Sequence, residues 1–146
     1  MITYDFYKSR YHGSSISESE WPMFEARAAE QLAYYRQIYT VTARETVGFD
    51  ESGNATIHSD VIHVTNENDN VTITVPVPFA MAICAMADVY AAIADAQNGT
   101  GTVSSSSIGS VSVSYSQVAS LDLSPRGQSR ELYNAACRYL QIYRGC

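Results

Sequence analysis

Pro76-Val-Pro-Phe-Ala-Met-Ala-Ile-Cys-Ala-Met-Ala-Asp-Val-Tyr-Ala-Ala-Ile-Ala-Asp-Ala-Gln97 is the most apolar part of this chain, and the rest arranges itself around it. Phe79, Ile83, Met86, Tyr90 and Ile93 recur at spacings of 4, 3, 4 and 3, the period of a helix. Ala fills most other positions, and only Asp88 and Asp95 are charged. A helix apolar nearly all round belongs at the centre of a fold. Two prolines end a strand and suit a first helical turn, and Asn98-Gly99 suits a stop. The spacing predicts a helix from Pro78 to Gln97, about 30 Å long at 1.5 Å per residue.

Before this helix, residues 40–75 read as strand and turn. Val71, Ile73 and Val75 alternate with Thr72 and Thr74, a period of two. Ala55–Thr65 reads as a strand between the Asp-Glu-Ser-Gly-Asn turn at 50–54 and the Asn-rich connection Asn66–Asn70. From Gly48 to Asn70 there are five acids and no Lys or Arg. A β-hairpin or small meander inserted over 45–75 is expected. Earlier still, Trp21, Phe24, Ala28, Leu32 and Tyr35 mark a helix from about Ser17 to Tyr39. Ser17 with Glu20 has the form of a capping box, and Ser19 is the better cap for Pro22. Residues 1–16 are polar, with aromatics at Tyr4, Phe6, Tyr7 and Tyr11.

After the central helix, a Ser-rich loop leads into Ile108-Gly-Ser-Val-Ser-Val-Ser-Tyr-Ser116. Val111, Val113 and Tyr115 face one way and serines the other, an extended strand without an obvious local partner. Ser124 caps a final helix with Pro125 at its first position, expected to run to about Arg144. Leu132, Ala136, Tyr139 and Tyr143 form its stripe; Arg130, Asn134, Arg138 and Gln141 lie opposite. Arg138 and Arg144 fall where the helix dipole favours cations. The fold class expected is mainly α (α+β). It is a small bundle of three to four helices in one domain, 1–146, with an inserted β-hairpin and an extended strand before the C-terminal helix. Trp21, Phe24, Leu32, Phe79, Ile83, Met86, Tyr90, Ile93 and Leu132 are the expected core.

Composition narrows the function. The 146 residues include 18 Ser, 10 Thr, 11 Tyr and a single Lys, with a net charge of −6. That sign is opposite to a basic nucleic-acid binder, and the aromatic content is not that of a disordered chain. The longest apolar run, Val75 to Ala87, is too short for a bilayer span and is closed by Asp88, so no membrane partner is expected. The N-terminus shows no apolar signal region. Cys84, Cys137 and Cys146 are an odd, sparse set that fits reduced thiols.

Chemical motifs are scarce. The acidic turns fail the calcium-loop pattern: Ala55 and Val61 stand where Gly and Glu are needed. His58 and His63, five apart, fall on opposite faces of a continuous strand. Cys84 and Cys137 read as small buried hydrophobes. The sequons Asn54-Ala-Thr56, Asn70-Val-Thr72 and Asn98-Gly-Thr100 read as chance in turn-rich loops. Neither a catalytic residue, a metal nor a cofactor is expected.

Three segments together resemble the head–tail connector (adaptor) proteins of tailed bacteriophages. The first is Ile2-Thr-Tyr-Asp-Phe-Tyr7 with Tyr11-His-Gly13 and Ile16-Ser-Glu-Ser-Glu-Trp-Pro22 leading into an Ala-rich helix. The second is the helix 79–97. The third is the 108–116 strand followed by Glu131-Leu-Tyr-Asn-Ala-Ala-Cys-Arg-Tyr-Leu140 and Arg144-Gly145. The match covers about 1–39 and 78–146, and the 45–75 segment exceeds the usual link. The resemblance implies a non-enzymatic virion protein made in the host cytoplasm and placed at the neck. It implies a closed homo-oligomeric ring, commonly of twelve, between the portal protein and a neck, stopper or tail-completion protein. Genomic DNA would pass through the lumen without sequence recognition, which the acidic, Lys-poor balance suits.

Val111, Val113 and Tyr115 are then candidates for the subunit interface by strand addition. Tyr139, Leu140, Tyr143 and Arg144 are candidates for portal binding, so truncating 139–146 is expected to abolish docking while leaving a folded chain. The competing readings are a stopper or tail-terminator ring protein, an enzyme using Cys137 or the His pair, and a secreted adhesin.

Overall fold

The computed structural model describes residues 1–44, 46–49, 51–58, 60–66, 71–98 and 121–145. In chain order the described elements are α1 (Tyr4–Ser9), α2 (Trp21–Ile38), β1 (Thr40–Ala43), β2 (Thr46–Phe49), β3 (Ala55–His58), β4 (Val61–Asn66), β5 (Val71–Pro76), α3 (Val77–Gln97), α4 (Pro125–Cys137) and β6 (Leu140–Tyr143). The fold is mixed α and β, and all its described strand pairs are antiparallel: β1 with β6, β2 with β3, β4 with β5.

α3 is the hub, with α2 and α4 both packed on it. Ala80, Ala82, Cys84, Met86 and Ala87 are completely buried, so small side chains let the neighbouring helices approach closely. Ile83, Met86 and Ile93 are buried as expected, whereas Phe79 and Tyr90 are only half-buried. The Ala positions take the tightest contacts because the helix is enclosed on several sides. That leaves Phe79 at the margin, under the Arg36 guanidinium at 5.4 Å. By length and composition alone α3, at 21 residues, is long and apolar enough to cross a membrane; a buried core helix passes the same test, and half of its apolar window is buried here. Asn98 caps its C-terminus in a right-handed conformation.

α2 buries Trp21, Phe24, Ala28, Leu32 and Tyr35, the predicted stripe, and adds Glu25. Its start differs from expectation. Glu20 is the N-cap and makes no side-chain capping bond; Ser17 instead accepts the Glu20 and Trp21 amides through its carbonyl and donates its hydroxyl to the Glu20 carboxylate. Pro22 in the first turn needs no amide partner, which lets the helix begin there.

Three further points differ from the sequence reading. Residues 1–16 contain a helix, α1, capped by Thr3, whose hydroxyl accepts the Phe6 amide at 3.2 Å. So short a helix persists only by tertiary packing, here through buried Phe6 and Tyr7. Ala55–Thr65 is not one strand but the end of one hairpin and the start of another, so His58 and His63 stand in different sheets. The final helix stops at Cys137 rather than running to Arg144; Leu140–Tyr143 is a strand paired with Thr40–Ala43. Leu140 and Ile142 alternate with polar Gln141, and Leu140 is fully buried, so pairing satisfies the backbone while the apolar face stays in the core. Leu132 and Ala136 of the expected stripe are buried on α4; Tyr139 and Tyr143 lie beyond it, and Arg144 has left the helix dipole. The predicted strand 108–116, with Val111, Val113 and Tyr115, lies outside the described residues.

The inserted segment is not wholly peripheral. Ile62, Val64 and Val75 of the β4–β5 hairpin pack against the core, and β5 runs straight into α3 with the Val77 amide donating to the Asp60 carbonyl at 2.8 Å.

Candidate functional site

Two surfaces and one buried network stand out. The first surface is the outer face of α2. Met23, Arg27, Glu30, Tyr34 and Ile38 recur at helical spacing opposite the buried stripe. Met23, Tyr34 and Ile38 are 48%, 52% and 46% exposed. Arg27, Glu30, Gln31 and Tyr34 line an open hollow with Tyr90 of α3, which explains why Tyr90 is not core.

The second surface is the C-terminal end. Of the four residues expected to bind a portal, Tyr143 is 62% exposed and Arg144 is exposed. Arg144 is also held in place: its guanidinium lies 3.7 Å from the Tyr133 ring centre and 5.5 Å from that of Tyr39. Tyr139 is half-buried, edge-on to Tyr11 at 6.5 Å. Leu140 is fully buried and offers no docking surface. Truncation at 139 would therefore remove a strand and a core residue, not just a surface.

The network joins the N-terminal segment to α3. The Tyr7 hydroxyl donates to the Asp88 carboxylate at 2.7 Å and accepts the Ser15 and Ile16 amides at 3.0 and 3.3 Å. Its ring stacks on Trp21 at 4.5 Å. The chain turns back over this ring at His12, which has φ of 61°, and at Gly13. A Cβ at Gly13 would lie 2.1 Å from the Tyr7 ring, so only glycine fits. Ile2 is pinned at both ends: its amide donates to Glu25 at 2.7 Å and its carbonyl accepts the Trp21 indole at 2.8 Å.

Burial and then Asp88 push the Tyr7 hydroxyl up to about 12 and raise Tyr11 as well. Burial, then Asp88 and Glu25, pushes the Cys84 thiol up to about 12. A fully buried thiol that stays protonated at neutral pH is no nucleophile, so Cys84 is a packing residue. Cys137 ends α4 beside Tyr133, and its hydrogen bond raises the Tyr133 hydroxyl. His63 Nδ1 meets the Thr74 hydroxyl at 3.3 Å across the hairpin. Among the described residues no three His, Cys, Asp or Glu side chains gather closely enough to hold a metal ion. The sequence reading did not pair Tyr7 with Asp88, though Asp88, one of two acids in an otherwise apolar helix, sits among buried positions where a carboxylate needs a donor.

Compared with known proteins, the chain matches no family model, no curated protein and no solved structure.

Proposed function

We propose that the protein is a head–tail connector of a tailed bacteriophage, a non-enzymatic virion protein whose copies close into a ring between portal and neck. The observation that carries this reading is the outer face of α2. Met23, Tyr34 and Ile38 leave apolar contact area unfilled on a helix whose other face is already packed. A ring subunit needs such area on its flanks, because each copy must cover its neighbour. The order of the N-terminal aromatic segment, the Ala/Met helix and the C-terminal helix supports it by resemblance. In this reading the helices form the bundle at the body of the subunit. The 108–116 strand, with Val111, Val113 and Tyr115, adds to a neighbour, and the exposed Tyr143–Arg144 end meets the portal. DNA slides through a lumen that holds no fixed phosphate contacts. The three strand pairs give weight to one alternative, a stopper or tail-terminator ring.

The test is co-sedimentation with the portal assembly of the same phage. The wild type is expected to travel with the portal. Tyr143→Asp is expected to weaken that binding about tenfold or more, the loss of one interface aromatic, with an unchanged circular dichroism spectrum. A wild type that ignores the portal contradicts the connector reading. Equal binding by the variant moves docking away from the C-terminal end.

A further inference from the structure

One stripe of α2 reads the same in both directions. Met23, Arg27, Glu30, Gln31, Tyr34 and Ile38 follow one another at spacings of 4, 3, 1, 3 and 4. At about 100° per residue all six fall within an arc of about 100°. Phe24, Ala28, Leu32 and Tyr35, the buried stripe, occupy a separate arc. Gln31 is half-buried and the other five are exposed.

The stripe is also chemically self-complementary. Its midpoint lies between Glu30 and Gln31. Reflected through that point, Met23 meets Ile38, Arg27 meets Tyr34 and Glu30 meets Gln31. These are an apolar pair, a guanidinium with an aromatic ring, and a carboxylate with an amide donor. A register centred on Glu30 itself would set two carboxylates against each other, which repel. Two copies of a helix laid antiparallel across a two-fold axis meet in the favourable way, because residue i then faces j and j faces i.

The middle of the stripe is concave. Arg27, Glu30, Gln31 and Tyr34 line an open hollow of about 370 Å³ with Tyr90 of α3. Burial raises the Tyr90 hydroxyl, Arg27 lowers it and Glu30 raises it, so both charged groups lie beside that hydroxyl. Neither Arg27 nor Glu30 makes an ion pair among the described residues. The hollow therefore holds a cation and an anion still without a partner, at the point where a two-fold axis would bring a tyrosine.

We propose that this face of α2 closes on the same face of a second copy in an antiparallel, two-fold contact, with the second copy's Tyr34 entering the hollow over Arg27. A second copy is the occupant because it carries the complement of every pair by symmetry. Tyr and Arg at the centre of a contact are the side chains that supply most interface energy, with Met23 and Ile38 closing its two ends. The stripe is about 22 Å long, a small contact of the weak, reversible kind. The inference goes beyond the connector reading: a two-fold contact closes at two copies and builds no ring. It covers α2 in the free chain and opens when a ring neighbour takes that face.

Sedimentation velocity and cross-linking on the full chain test this at about 0.15 M salt, where a screening length of about 8 Å limits repulsion between two copies of charge −6. The wild type is expected to pass from monomer to dimer with rising concentration. Tyr34→Asp is expected to weaken the dimer about tenfold or more with an unchanged circular dichroism spectrum, since Tyr34 is an exposed residue. For the register, M23C and I38C are made separately in a C137S/C146S background and treated with a short bis-maleimide. The mixture is expected to give a cross-linked dimer. Either variant alone is expected to give none, because like positions stand about 22 Å apart across the axis. A wild type that stays monomeric throughout, a dimer that Tyr34→Asp leaves unchanged, or equal cross-linking by either variant alone overturns the contact. Portal binding by a chain that never dimerises overturns this contact and leaves the connector reading. A dimer with this register that ignores the portal does the reverse.

Discussion

Tyr7 and Asp88 do at the scale of single residues what the helices do at larger scale: they tie the two ends of a long sequence gap. Tyr7→Phe removes the donor to a half-buried carboxylate and the acceptor for two amides. It is expected to cost about 1–3 kcal/mol in denaturant unfolding, the penalty for leaving such groups unpaired. Gly13→Ala drives a methyl into a fully buried ring and is expected to cost about as much, by overpacking. The pH dependence follows from the same hydroxyl. Its folded value, about 12, lies above the ordinary 10, so the folded state holds its proton where the unfolded chain loses it. This contribution is full below about pH 10 and is lost as pH rises toward 12; a stability profile is expected to fall there, less steeply in Tyr7→Phe. Cys84 is expected to resist alkylation in the native protein and to react once it is unfolded, read by peptide mass mapping, because it is completely buried. Asp88 was visible in the sequence as one of two acids in an apolar helix. Its partner was not, because Tyr7 lies 81 residues away and nothing local marks it.

Among the elements, α2 and α3 were legible because their apolar residues keep a helical period over many turns. The strand at 71–75 was legible by strict alternation. The C-terminal end was misread for a physical reason. Leu132, Ala136, Tyr139 and Tyr143 fit a helix period, while Leu140, Gln141 and Ile142 fit alternation, and a window that short satisfies both. The partner decides: β1 follows directly on α2, and its Thr40 pairs with Tyr143 from the other end of the chain. The exposed α2 face was equally out of reach, since exposure depends on which neighbours a helix lacks. Leu140→Ala is expected to cost about 2–5 kcal/mol, measured by chemical denaturation, because Leu140 is fully buried where β6 meets the core. Were residues 140–143 a loose surface tail, the substitution would change stability by only a few tenths.

At the scale of the molecule, the net charge of −6 belongs to one segment, 45–75, and a balanced body carries it. In the reading proposed above, the exposed Met23, Tyr34 and Ile38 on α2 serve contacts between copies, which makes assembly the centre of the account. Negative-stain imaging of the purified chain with and without its portal tests that most directly. Closed rings seated on the portal are the predicted result, whether or not the free chain is monomeric; a chain that forms no ring and leaves the portal bare in the mixture would contradict the account.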